Sequence, residues 1–84
     1  MADKQIGEVT HYFDKIGVAV VELTGDLKVG DTIKISGRGN EFTQVVESMQ
    51  IEHEKLDEAH KDQEIGMKVD KEVKEGDKVF KVTA

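Results

Sequence analysis

Two of the three histidines, His53 and His60, are the side chains of this 84-residue sequence that most readily suggest chemistry. If residues 52–64 formed a helix, these histidines would share one face and could hold a metal with Asp57 or Glu64. However, the ligand spacing of a zinc site is absent, and the sequence has no cysteine. The alternative is an ordinary polar surface. We therefore predict no metal and no cofactor, with a metal at the histidine pair as the open alternative.

Nucleophilic or acid–base catalysis has little basis in the sequence. Neither Ser36 nor Ser48 lies in the Gly-x-Ser-x-Gly context of an activated serine. With 18 acidic residues, some carboxylates must lie close together, so proximity alone does not indicate a catalytic pair. We expect a domain that is not an enzyme.

A Gly-x-Gly sequence at residues 37–39 is the feature closest to a phosphate-binding loop. It lacks a third glycine, a Lys-Ser/Thr pair and a following helix, so it is neither a P-loop nor a dinucleotide fingerprint. Glycine and asparagine tolerate positive φ, so residues 37–40 predict a hairpin tip instead. The tip would expose Arg38, the single arginine of the chain. Because no Walker A lysine motif is present, we expect that the chain does not bind GTP.

The net charge of −6 argues against broad nucleic-acid binding, and we expect no DNA binding. Residues 41–64 carry eight acids and two lysines, whereas residues 68–81 carry five lysines and four acids. An RNA partner would meet the lysine-rich side, and the alternative is a mixed, solubilising surface. The candidate partner contacts are Arg38, Lys68, Lys71, Lys74 and Lys78.

Hydropathy gives an expectation for location. The longest apolar run, residues 18–21, is too short to span a bilayer. Residues 1–5 are polar, and no apolar stretch follows them, so we expect no signal peptide. Together with the absence of cysteine, this predicts a cytoplasmic protein with no membrane partner.

Alternating apolar residues between turn residues predict β-strands, which would position every candidate residue. Residues 18–23 are apolar on both faces, which is typical of a central strand covered on both sides. The return strand slips between Val45 and Val46, as at a bulge. Residues 52–64 predict a charged excursion with one helical turn, because their apolar stripe is too narrow for a long helix. The six predicted strands are residues 6–13, 18–23, 32–36, 41–51, 65–69 and 78–82.

Six short strands without a long helix predict an all-β fold, a small, partly closed antiparallel six-stranded β-barrel. The whole chain, residues 1–84, would form this single domain, with a core at about residues 6–82. Residues 28–33 and 74–79 resemble each other, and both place Gly-Asp before a strand. We interpret them as two uses of one turn.

A set of short segments carries a family resemblance: residues 6–9, 16–21, 27–35, 46–49, 59–69 and 73–79. A Leu-x-Val-Gly-Asp-x-Ile segment and an Ile-Gly pair are the more specific features among them. With these segments the sequence resembles domain 2 of translational GTPases such as elongation factor Tu, and also the small C-terminal barrel of the collagenase-like peptidases. The family often has glycine at the position of Asp62, so we expect that turn to differ in shape.

This resemblance implies the translation-protein barrel fold and a binding role. The first hypothesis is a translation-factor-like module that contacts tRNA, the ribosome or a translation-related protein. The alternative is an accessory subunit that docks a separate catalytic protein of the collagenase-like peptidase or RNA-modification type. Fold resemblance alone does not transfer function.

Overall fold

The computed structural model describes residues 2–37, 40–52 and 54–83. Within these ranges the chain forms ten strands and no helix, and therefore no helix that could cross a membrane. The strands are β1 (Ala2–Phe13), β2 (Val18–Leu23), β3 (Leu27–Lys28), β4 (Thr32–Gly37), β5 (Asn40–Val45), β6 (Met49–Ile51), β7 (Glu54–Leu56), β8 (Glu58–Ala59), β9 (Glu64–Lys68) and β10 (Lys78–Thr83).

Eight strands make one antiparallel sheet in the order β5-β4-β10-β1-β2-β9-β6-β7, and β3 pairs with β8. The register of β1 shifts after Gln5 and again after Val9, and such bulges bend a strand around a core. The sheet encloses one apolar cluster. Its buried members are Ile6, Val9, Ala19, Val21, Leu23, Leu27, Ile33, Ile35, Val46, Met49, Ala59, Ile65, Met67, Val69, Val73 and Val79.

A single glutamine connects the edge strand β5 to the chain that leaves β9. The Gln44 side chain, which is 7% exposed, donates from Nε2 to the carbonyl of Lys68 at 2.9 Å. Its Oε1 accepts the N–H of Asp70 at 2.8 Å. The side-chain amide thus makes the two hydrogen bonds that a neighbouring strand would otherwise supply. The glutamine therefore joins β5 to the segment that follows β9, although these two parts of the chain share no ladder of backbone hydrogen bonds.

The all-β antiparallel prediction is confirmed, but two predicted segments differ from the structure. The strand expected at residues 41–51 is two strands, because the chain leaves the sheet between Val45 and Met49. The helical turn expected within residues 52–64 is wrong for the residues described there. The strands β7 and β8 occupy that stretch, since pairing with β6 and β3 satisfies the backbone where no wide apolar stripe could hold a helix.

The Gly-Asp echo marks two turns of one kind, as predicted. In the first, the Asp31 carboxylate accepts the N–H of Lys28 at 2.9 Å, and Gly30 has φ 98°. In the second, Asp77 accepts the N–H of Lys74 at 3.0 Å, and Gly76 has φ 94°. The Asp62 turn also contains a positive φ, 73°, which glycine would adopt readily. An aspartate tolerates this conformation better than most residues do.

We expect Gly30→Ala and Gly76→Ala each to lower the free energy of unfolding by about 1 kcal/mol. Both glycines have positive φ, and neither has an atom within 4 Å of an added Cβ, so backbone strain is the sole cost. Urea unfolding of the two variants measures the effect. A loss confined to one of the two glycines would contradict the equivalence of the turns.

Candidate functional site

A groove of about 640 Å³ lies on the outer face of the sheet, open to solvent. Its apolar wall comes from the β1–β2 hairpin and from β6, and its floor is formed by β2 and β9. The apolar side chains that line this outer groove are Phe13, Ile16, Val18, Val20 and Ile51, and β9 contributes Ile65, whose side chain is buried in the core, and Gly66.

The outer groove exists because β2 is apolar on both faces. Ala19, Val21 and Leu23 point into the core and are at most 1% exposed. Val18 and Val20 point outward and are half-buried. The predicted central position of this strand is confirmed, since β2 lies between β1 and β9, but its outer face is only half-buried by the described residues. They cover the inner face and leave the outer one as the groove floor.

The β1–β2 hairpin places two large apolar side chains in solvent. Its turn is closed by hydrogen bonds from the N–H groups of Ile16 and Gly17 to the carbonyl of Phe13, at 3.3 and 2.9 Å. Phe13 is 46% exposed and Ile16 is 64% exposed. The Phe13 ring also contacts His11, with ring centroids 4.5 Å apart. Phe13 and Ile16 therefore form an exposed apolar part of the groove wall.

Gly66 leaves the middle of the groove floor without a side chain. It pairs with Val20 of β2 on one side and with Gln50 of β6 on the other. A Cβ at this position would lie 3.3 Å from Val18 Cγ1 and 3.5 Å from Gln50 Cγ. The position could therefore nearly hold a side chain. Glycine within a strand often marks close approach of another backbone or a ligand.

The rim of the groove is acidic. Glu52 and Glu64 line it, together with the neutral Gln50, and no described lining residue is a cation. Glu64 accepts a hydrogen bond from the Thr10 hydroxyl at 3.2 Å. Across the β2–β9 pair, Glu64 lies opposite Glu22, which adds a further negative charge nearby. The groove thus offers an apolar floor and a negative edge.

Two of the four lysines predicted as partner contacts lie next to an acidic or aromatic side chain. Lys78 Nζ lies 2.7 Å from Glu8 Oε1, and Lys71 Nζ lies 5.8 Å from the centre of the Phe42 ring. Lys68 and Lys74 have exposed side chains. Arg38 lies outside the described residues. As contacts to a partner, these five residues remain a prediction.

The histidine pair does not lie on a helical face, because no helix forms in the described part of residues 52–64. His60 Nδ1 is 3.2 Å from Asp26 Oδ1, and His60 Nε2 is 4.0 Å from Glu58 Oε1. His53 lies outside the described residues. Among those described, no group of three or more His, Asp or Glu side chains could hold a metal ion.

Comparison with known proteins identifies the family. A family model described as the peptidase family U32 C-terminal domain matches residues 3–78. The chain belongs to this family. As a U32 C-terminal domain, it superposes on the crystal structure of the C-terminal domain of a Geobacillus thermoleovorans protein assigned to the U32 peptidases. The TM-score is 0.89 at 28% identity, with 95% of this chain and 93% of that chain covered. The selenomethionine variant of that domain gives a TM-score of 0.86, also at 28% identity, with 90% of this chain and 96% of that chain covered.

The curated relatives of this U32 C-terminal domain are much longer proteins. A Methanocaldococcus jannaschii protein named as an uncharacterized protease is 43% identical over 77 residues, which cover 90% of this chain and 19% of that protein. A Porphyromonas gingivalis collagenase is 33% identical over 78 residues, which cover 90% of this chain and 22% of that protein. The chain therefore spans about a fifth of the length of these relatives.

These findings correct the translation hypothesis. The family model is a peptidase U32 C-terminal domain, and the curated relatives are named as a protease and a collagenase, so the expected role as an elongation-factor-like translation protein is wrong. Contact with tRNA or the ribosome stays a prediction. The resemblance to the C-terminal barrel of the collagenase-like peptidases is confirmed. The error arose because the shared turn and strand motifs specify a barrel and carry no information about its partner.

Sequence reasoning missed the residues of the outer groove, because the candidate contacts that it selected are Arg38 and four lysines, none of which lines the groove among the described residues. Two signals could have found the groove. The first is Ile16, an apolar residue within a turn. The second is β2, which has apolar residues on both faces in a chain of 84 residues that is too short to build a large core on each side.

Proposed function

We propose that this chain is a non-catalytic accessory domain that packs against the catalytic domain of a U32-type, collagenase-like peptidase. Its match to a C-terminal domain, over about a fifth of the length of the relatives, is the observation that carries the proposal. The remaining four-fifths of those proteins would hold the chemistry. The accessory domain would then contribute stability, orientation or substrate access.

The polar groups of the described residues support a non-catalytic role. Those with defined partners hold the fold: Asp31 and Asp77 close turns, and Gln44 joins strands. The described lining residues of the outer groove include two carboxylates, Glu52 and Glu64, and no serine, threonine, histidine or lysine. The groove lining therefore lacks the hydroxyl, amine or imidazole group of a nucleophile–base pair, although a carboxylate can itself act as a nucleophile.

Direct binding to a U32 peptidase tests the proposed function. The partner is the M. jannaschii relative from which the C-terminal region matched by this chain has been removed, with its folded state checked by circular dichroism. Because such docking buries apolar surface, we expect a 1:1 complex by light scattering and a measurable heat by calorimetry. The positive control is the relative's own C-terminal region, supplied as a separate chain. If that region binds and this chain does not, the proposed function is wrong.

A further inference from the structure

We propose that the outer groove is the surface that docks the peptidase domain, and that it receives an apolar side chain carried on a segment with neighbouring Lys or Arg residues. This inference rests on the proposed function and adds the location and chemistry of the contact. The occupant is therefore a protein surface rather than a small ligand.

The exposed apolar residues favour a contact at this place. Four large apolar side chains of the described residues are notably exposed, and Phe13 and Ile16 lie together on the outer groove. Val29 and Val45, at 40% and 50% exposure, do not line it. Single exposed apolar residues are common on any surface. Phe13 and Ile16 are different, because they continue into the half-buried Val18 and Val20 without a polar gap.

The size of the groove favours an inserted side chain. Val18 Cγ1 and Gln50 Cγ would lie 3.3 and 3.5 Å from a Cβ at Gly66, so the floor has room there for little more than a methyl group, and the space for an anchor is the groove above it, of about 640 Å³. Anchor residues at protein interfaces typically fill an apolar pocket within a ring of less important contacts. The groove is open and has few convergent polar groups, unlike an enclosed small-molecule site.

The acidic rim determines the charge of the occupant. Glu52 and Glu64 border the apolar floor, and no described lining residue balances them. Complementary charge accelerates association and disfavours partners of like charge. A segment that carries Lys or Arg next to an apolar side chain would pair its charge with the acidic rim and pack its apolar side chain on the floor.

Paired substitutions test the inference in the binding experiment with the truncated M. jannaschii relative. We expect Ile16→Ser to weaken binding by about 10-fold or more, because it removes a central apolar contact. The matched control Val45→Ser removes a comparably exposed apolar side chain away from the groove, and should change affinity by less than about 2-fold.

Charge reversal tests the rim separately. The double variant Glu52→Lys, Glu64→Lys should weaken binding most at low ionic strength and flatten its dependence on salt, whereas Glu41→Lys, outside the groove, should do neither.

The outcomes separate the two proposals. If the unaltered chain binds and the groove variants bind equally well, the groove inference is wrong and the accessory function stands. If the unaltered chain does not bind while the relative's own region does, the proposed function fails and the groove inference fails with it. Loss of binding in Val45→Ser as large as in Ile16→Ser would also overturn the groove as the contact.

Discussion

We expect replacement of Gln44 with alanine to lower the free energy of unfolding by about 3 kcal/mol. The reason is that each buried backbone group left without its hydrogen-bond partner costs about 1–3 kcal/mol. The substitution leaves the Lys68 carbonyl and the Asp70 N–H without the side-chain partner that each now has. It also opens space beside the core. A domain of this size is expected to have a total stability of roughly 4–13 kcal/mol, so the loss is a large fraction.

Gln63→Ala is the matched control for Gln44→Ala. Gln63 also accepts a backbone hydrogen bond, from the N–H of His60 at 2.6 Å, but it does so in an exposed turn where water can replace it. We expect Gln63→Ala to lower the free energy of unfolding by less than about 1 kcal/mol. Urea unfolding of both variants gives the comparison. Equal losses would show that Gln44 does not hold the sheet together in the way described.

The second large effect is expected for Gly7→Ala. The added methyl group overpacks the core and should lower the free energy of unfolding by about 2–3 kcal/mol. Gly7 is buried between β2 and β10, and an added Cβ would lie 2.6 Å from Val21 Cγ1 and 3.0 Å from the carbonyl oxygen of Glu22. Val21 is itself fully buried. Neither the valine nor the sheet backbone has room to move away.

Gly66→Ala provides the control for Gly7→Ala, since both glycines lie within strands. At Gly66 the nearest atom to an added Cβ is a valine methyl at 3.3 Å on the outer face, so a small shift relieves the contact. We expect Gly66→Ala to lower the free energy of unfolding by less than about 1 kcal/mol, as measured by thermal unfolding. A Gly7→Ala variant as stable as the unaltered chain would contradict the tight packing of β1 against β2.

Strand periodicity and turn chemistry predicted most of the fold. The two Gly-Asp turns are predictable from the similarity of residues 28–33 and 74–79, because each places turn residues directly before an alternating strand. The short strands β7 and β8 could not be predicted. Their residues have the composition of a helix, and the pairing of β7 with the neighbouring β6 and of β8 with the distant β3 overrides that preference.

The function depended on information that local patterns lack. Turn and strand motifs indicate a fold and leave its partner open, so a resemblance that rests on such motifs does not predict the function. The outer groove was hidden for a different reason. An apolar residue such as Val20 has the same sequence signature whether the chain itself or a second domain covers it, and the register of three strands is needed to tell these apart.

Hydroxyl-radical footprinting of this chain, alone and bound to the truncated peptidase, tests the docking account most directly. Because oxidation follows solvent access, Phe13 and Ile16 should be modified readily in the isolated chain, where they are 46% and 64% exposed. In the complex their modification should fall several-fold, while that of Val29 and Val45 stays unchanged. Protection of Val29 and Val45 with Phe13 and Ile16 still reactive would contradict docking through the outer groove.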